Sequence, residues 1–145
     1  MDAQFFIGLF GGFIISFALL LVAQKMNDTS ARYDELCSAI SGAADISSAY
    51  WLMDANAHDV RLDEAKILGL QTKINLMFIL LEKEDWAIKK LGNEELDSFL
   101  DTITGGTFQV ADRNPDPERC IEAQTSAATL IAFLRKNRKR KFWIV

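Results

Sequence analysis

The chain has 145 residues, half of them hydrophobic, and a formal net charge of −4; beyond its first apolar segment about 120 residues remain, enough for one small domain and too few for two. Its two cysteines, Cys37 and Cys120, lie far apart and do not make the disulfide framework that a secreted domain of this size more often carries, which points to a reducing compartment. With one histidine, His58, and no HExxH, CxxC, Walker A or GxGxxG pattern, the sequence offers no metal site, no cofactor and no nucleotide fingerprint to build on.

From Phe5 to Ala23 the sequence FFIGLFGGFIISFALLLVA runs nineteen residues without a charge. At helical rise that is about 28 Å, close to the roughly 30 Å hydrocarbon core of a bilayer, so the expectation is one N-terminal transmembrane helix in an anchor of residues 1–26. A cleaved secretory signal needs a cationic start and a shorter apolar core, and only Met1, Asp2, Ala3 and Gln4 precede the run. Lys25 and Arg32 follow it. Because cations near a span tend to stay inside, the expected topology is a single-pass protein of the cell membrane, N-terminus outside and C-terminal domain cytoplasmic. Within the run, Gly8, Gly12 and Ser16 stand four apart and mark a face where membrane helices would pack closely, while Phe6, Phe10, Phe13 and Phe17 occupy another.

Residues 27–134 read as a small antiparallel four-helix bundle. After the caps offered by Asn27, Asp28, Thr29 and Ser30, the residues Tyr33, Leu36, Cys37, Ile40, Ala44, Ser47 and Trp51 recur at spacings of three and four, which predicts a helix ending near Asp54. No break is required at Asn27-Asp28, and this helix can run on from the first segment. A second helix is expected from Leu62 or Asp63 to about Asp85. Its apolar stretch from Ile74 to Leu81 marks it as the most buried of the four, and the eight uncharged residues are too few for another span. Gly92 and Asn93 punctuate, Glu94 and Glu95 open a short third helix, and Gly105-Gly106 ends it. The irregular stretch from Thr107 to Pro117 leads to a last helix beginning near Pro117, with Cys120, Ile121, Gln124, Ala127, Ala128, Ile131 and Leu134 along one face.

The basic-aromatic tail, residues 135–145, holds six of the sixteen cations: Arg135, Lys136, Arg138, Lys139, Arg140 and Lys141, followed by Phe142, Trp143 and Ile144. Beside a membrane such a cluster suits anionic lipid headgroups, with Trp143 at the interface; nucleic acid or a nucleotide is a second partner, and a solvated helix end is the plain alternative. The Thr104-Gly105-Gly106-Thr107 turn with Arg113 and Arg119 has the makings of a small anion cradle. No nucleophile with an adjacent base assembles, although Glu94 with Glu95 and Asp63 with Glu64 are paired carboxylates. The expectation is therefore a non-enzymatic, membrane-anchored interaction or scaffold subunit that forms homo-oligomers or joins a membrane complex. The alternative is a membrane-perturbing effector, toxin-like or antiviral, whose helical domain senses a partner or a small anion.

Overall fold

The first 52 residues contain no proline, and nothing interrupts the backbone ladder of helix α1, Ala3–Leu52, which passes through the expected caps at Asn27 to Ser30. The structure, a computed structural model, describes the backbone of residues 3–55, 60–84 and 86–142 and the side chains of residues 14–55, 60–83, 88 and 92–138. Among these residues there are three more helices and no strand: α2 (Val60–Glu84), α3 (Trp86–Thr104) and α4 (Pro117–Phe142). The chain is all-α, as the periodicity indicates. It divides into two compact units, Met1–Arg32 and Tyr33–Val145.

The membrane span is not upheld. Among the described residues no helix is long and apolar enough to cross a membrane, which overturns the single-pass reading together with its outside N-terminus and cytoplasmic domain. Of the nineteen-residue uncharged run, the described side chains are those of Ile14 to Ala23, ten residues that cover about 15 Å against the roughly 30 Å of a bilayer core. The same helix then carries Gln24, Lys25, Asn27 and Asp28. Gly8 and Gly12 of the small-residue stripe, with Phe6, Phe10 and Phe13, lie outside the residues whose side chains are described; Ser16 is exposed.

The second unit is the helical bundle. All seven residues of the expected α1 face, Tyr33 to Trp51, are buried. Cross-links set the directions. Arg138 Nη1 donates to Asp34 Oδ1, Gln124 Nε2 to Asp45 Oδ1 at 3.1 Å, and Ser48 Oγ to the Cys120 carbonyl at 3.4 Å, so numbers rise along α1 as they fall along α4. Likewise Lys73 pairs with Glu35 at 2.9 Å and Tyr50 donates to Glu64 Oε1 at 3.2 Å, which makes α2 antiparallel to α1.

Three helices differ from expectation in instructive ways. The α2 helix is not central: Ile67, Ile74, Phe78 and Leu81 are buried, but Leu76, Ile79 and Leu80 keep 59%, 49% and 50% of their surface in solvent. In α3, Gly92 and Asn93 do not break the helix, which starts already at Trp86. Gly92 is there for closeness, because a Cβ would fall on Phe78 Cζ and 3.3 Å from Phe133 Cε1. On α4 the buried line is Ala123, Ala127, Leu130 and Leu134, with Cys120 and Ile131 part-buried beside it; Ala127 and Leu134 are as expected, whereas Ile121 is 67% exposed. The ends are as expected: α3 stops at Gly105-Gly106, with Gly106 at φ 61°, and α4 opens on Pro117 behind Asp116. Asp116 Oδ1 accepts the Arg119 amide at 3.0 Å as the helix cap.

Candidate functional site

The anion cradle expected around Arg113 and Arg119 is occupied by the protein itself. Arg113 is 4% exposed; its guanidinium lies 3.8 Å from the centre of the Tyr50 ring, and Nη1 donates to the Met53 carbonyl at 3.0 Å. Its Nε and Nη2 have no hydrogen-bond partner. The ring faces of Tyr50 and Trp51 carry the charge, a cation–π arrangement in a desolvated setting. Arg119 stands 5.0 Å from the Trp51 ring and donates from Nε to the Thr102 carbonyl and from Nη2 to the Asp101 carbonyl, which satisfies the open end of α3. Any side chain at Gly106 would collide with that guanidinium.

Tyr50 completes the clamp. Its hydroxyl accepts the Gln109 amide at 2.9 Å while donating to Glu64, and burial pushes its pKa up. The Trp51 carbonyl accepts the Asp116 amide at 2.7 Å. Two aromatic residues at the end of α1 thus hold both ends of the long loop. These residue types suit a structural fastening, and the paired carboxylates nearby are similarly engaged: Asp63 is buried against Lys66, and Glu64 receives Tyr50.

Glu94 and Glu95 instead line an open groove of about 660 Å³ between α3 and α4, with Ser98, Thr102, Glu122 and Thr129 around it. One oxygen of Glu95 is buried there without a partner. Thr102, Thr125 and Thr129 direct their hydroxyls to carbonyls of their own helices, so the groove presents chiefly carboxylates and methyl groups, with the exposed Ser98 among them. Among the described residues no group of three or more His, Cys, Asp or Glu side chains is placed to hold a metal ion. His58 lies outside the described residues.

Of the basic cluster, Arg135 and Lys136 are exposed, whereas Arg138 is committed to Asp34 across the bundle. The side chains of Lys139, Arg140 and Lys141, and Trp143 altogether, lie outside the described residues. The cluster does not begin a separate tail in the backbone, since α4 continues to Phe142.

Large aliphatic side chains are exposed together in two places. On α1, Ile14, Ile15, Leu19, Leu20, Leu21 and Val22 are each 50–64% exposed. Leu19 to Val22 are consecutive, and at 100° per residue they reach every side of the helix. On α2, Leu62, Leu68, Leu76, Ile79 and Leu80 are 40–59% exposed beside Ala65, Gly69 and Thr72. This second surface escaped the sequence reading, which assigned Leu76, Ile79 and Leu80 to the core; its signal is a second line of positions at spacings of three and four, from Leu62 through Ala65, Gly69 and Thr72 to Leu76 and Leu80. In comparisons with protein families, curated proteins and solved structures, nothing matches the chain.

Proposed function

We propose that the chain is an association module, a helical scaffold subunit that acts by holding copies of itself together at the α1 segment from Ile14 to Val22. The observation that carries this reading is the exposure of Ile14, Ile15 and Leu19 to Val22, all at least half in solvent. Each aliphatic side chain left in water forgoes about 1.5–3 kcal/mol of burial, and a helix apolar on every side needs several neighbours to recover it. Copies of the same segment supply those neighbours with matching chemistry, in a bundle of three or more helices. The second unit then serves as the folded body that each copy brings to the assembly.

The test is the mass of the full chain in detergent-free buffer, by sedimentation or light scattering, for wild type and for Leu20→Lys with Val22→Lys. Wild type is expected as a defined oligomer and the double variant as a species of clearly lower mass, no larger than a weak dimer, with the helical content of the bundle unchanged. A monomeric wild type, or a double variant of the same mass as wild type, overturns the proposal.

A further inference from the structure

From the surface of α2 we infer that the second unit carries its own dimerisation face, whose occupant is α2 of a second copy of this chain running antiparallel. The face is centred on Leu62, Ala65, Gly69, Leu76 and Leu80, which fall within a narrow sector of the helix, with Thr72 and Ile79 along one margin. From Ala65 to Leu80 its residues divide by size along the chain, the small Ala65 and Gly69 first and the large Leu76 and Leu80 after them.

A two-fold axis at Thr72-Lys73 sets Gly69 of each copy against Leu76 of the other, and Ala65 against Leu80. Leu76 and Leu80 of each copy thus each meet a small residue of the other, which is the complementarity an isologous interface requires. A parallel pairing would set Leu76 on Leu76 and leave Gly69 facing Gly69. The two helix dipoles oppose in the antiparallel choice. Lys83, three residues beyond Leu80 in the same sector, comes against Leu62 of the other copy and lays its aliphatic stem there with the ammonium in water. Lys66 and Lys73, which flank the face, are already paired with Asp63 and Glu35 at 2.9 Å each, so they do not repel a second copy. Gly69 has nothing within 4 Å of where a Cβ would stand, so the space above it is open in the single chain.

The exposed aliphatic area of such a face is on the order of 400 Å² per copy, the scale of a large functional patch. Doubled, it falls below the usual size of stable interfaces and matches weak, reversible pairing. This contact lies within the second unit and does not depend on association through Ile14 to Val22, so the two readings can fail separately.

The experiment is disulfide trapping of the full chain, with Cys120→Ser throughout and the buried Cys37 kept. Thr72→Cys is expected to give a covalent dimer under mild oxidation. Leu62→Cys is expected to cross-link at least tenfold more slowly, because the axis puts it roughly 30 Å from its own counterpart. Adding Gly69→Leu to Thr72→Cys fills the open space without touching the fold, and is expected to slow trapping by at least tenfold. Each arm is repeated with Leu20→Lys and Val22→Lys, where Thr72→Cys is still expected to be trapped. Absence of the Thr72→Cys dimer overturns the inference, as does equal trapping of Leu62→Cys, indifference to Gly69→Leu, or loss of trapping when only the α1 segment is changed.

Discussion

Two stretches of one helix, Ile14 to Val22 and Tyr33 to Trp51, use similar apolar residues to opposite ends. The later stretch spaces them by three and four, buries that face in the bundle and leaves Asp34, Glu35, Ser38, Ser41 and Asp45 in solvent. The earlier stretch has no such period and keeps its aliphatic residues exposed on all sides. Helix formation is indifferent to this contrast, since both satisfy their backbone internally and have good propensity. Pattern decides the fate: a periodic face finds its partner within the chain, and an aperiodic one has to find it elsewhere. The α2 helix stands between them, with one line of apolar residues buried and another in water.

The comparison is easiest to break at its extremes. Trp51→Ala removes a fully buried side chain and is expected to cost about 3–5 kcal/mol, a large part of the stability of a small domain. Leu20→Ala, at a residue 62% exposed, is expected to leave the denaturation midpoint of the dilute chain within about 0.5 kcal/mol of wild type while weakening the oligomer. Urea unfolding followed by tryptophan fluorescence and far-UV circular dichroism measures both. Equal costs would mean that the Ile14 to Val22 segment belongs to the folded core.

The loop clamp sharpens the comparison, because it fastens the end of the periodic stretch. Arg119→Ala strips two carbonyls at the end of α3 and a cation from the face of Trp51, and is expected to cost about 1.5–3 kcal/mol. Arg119→Lys should recover only part, since one ammonium does not reproduce the forked geometry. If thermal melting places Arg119→Lys level with wild type, charge alone holds the loop and the two carbonyl bonds carry little.

How far this was legible in the sequence follows from which forces act locally. The α1 face could be read because burial there follows helical period, and the ends of α3 and α4 because Gly106 at positive φ and Pro117 at the first turn are backbone requirements. Gly92 misled because the same residue serves as a breaker and as a point of close approach, and only Phe78 above it distinguishes the two. On α2, composition alone does not tell a core face from an exposed one when both are aliphatic. On α4 Ala127 and Leu134 were read rightly, but the small Ala123 is buried while the larger Ile121 is not, so size was a poor guide to burial. The arginines near the glycine turn were visible as a cluster, but that their partners are carbonyls and ring faces depends on which helix ends meet.

A smaller effect separates two glycines that sequence treats alike. Gly69→Ala is expected to stabilise the chain by up to about 1 kcal/mol, since its Cβ meets open space and helix propensity improves. Gly92→Ala gains the same propensity but drives a methyl onto Phe78, and is expected to destabilise by about 1–3 kcal/mol from overpacking. Opposite signs in denaturant unfolding sustain the distinction between exposed and packed helix faces, and a shared sign removes it.

The smallest expected effect is a pH dependence at the periodic face. Burial pushes the Cys37 thiol above its ordinary value of 9.0; the Arg135 charge pulls it down, Asp34 pushes it up again, and Arg138 pulls it down. A group whose pKa is higher folded than unfolded contributes stability that is complete below the unfolded value and is lost as pH rises through the folded one. Unfolding free energy should therefore stay level through about pH 8 and then decline, because the unfolded chain releases a thiol proton that the folded chain retains. Tyr50, raised by burial from its ordinary 10.0, adds a decline of the same sign at still higher pH. Cys37→Ala should lower the whole curve but flatten its first decline, and Tyr50→Phe should flatten only the later part. Urea midpoints taken between about pH 7 and pH 10.5 distinguish them, and a Cys37→Ala curve that falls in parallel with wild type from pH 8 would mean that the thiol opens to water in the native chain and that this part of the α1 face is less closed than its burial implies.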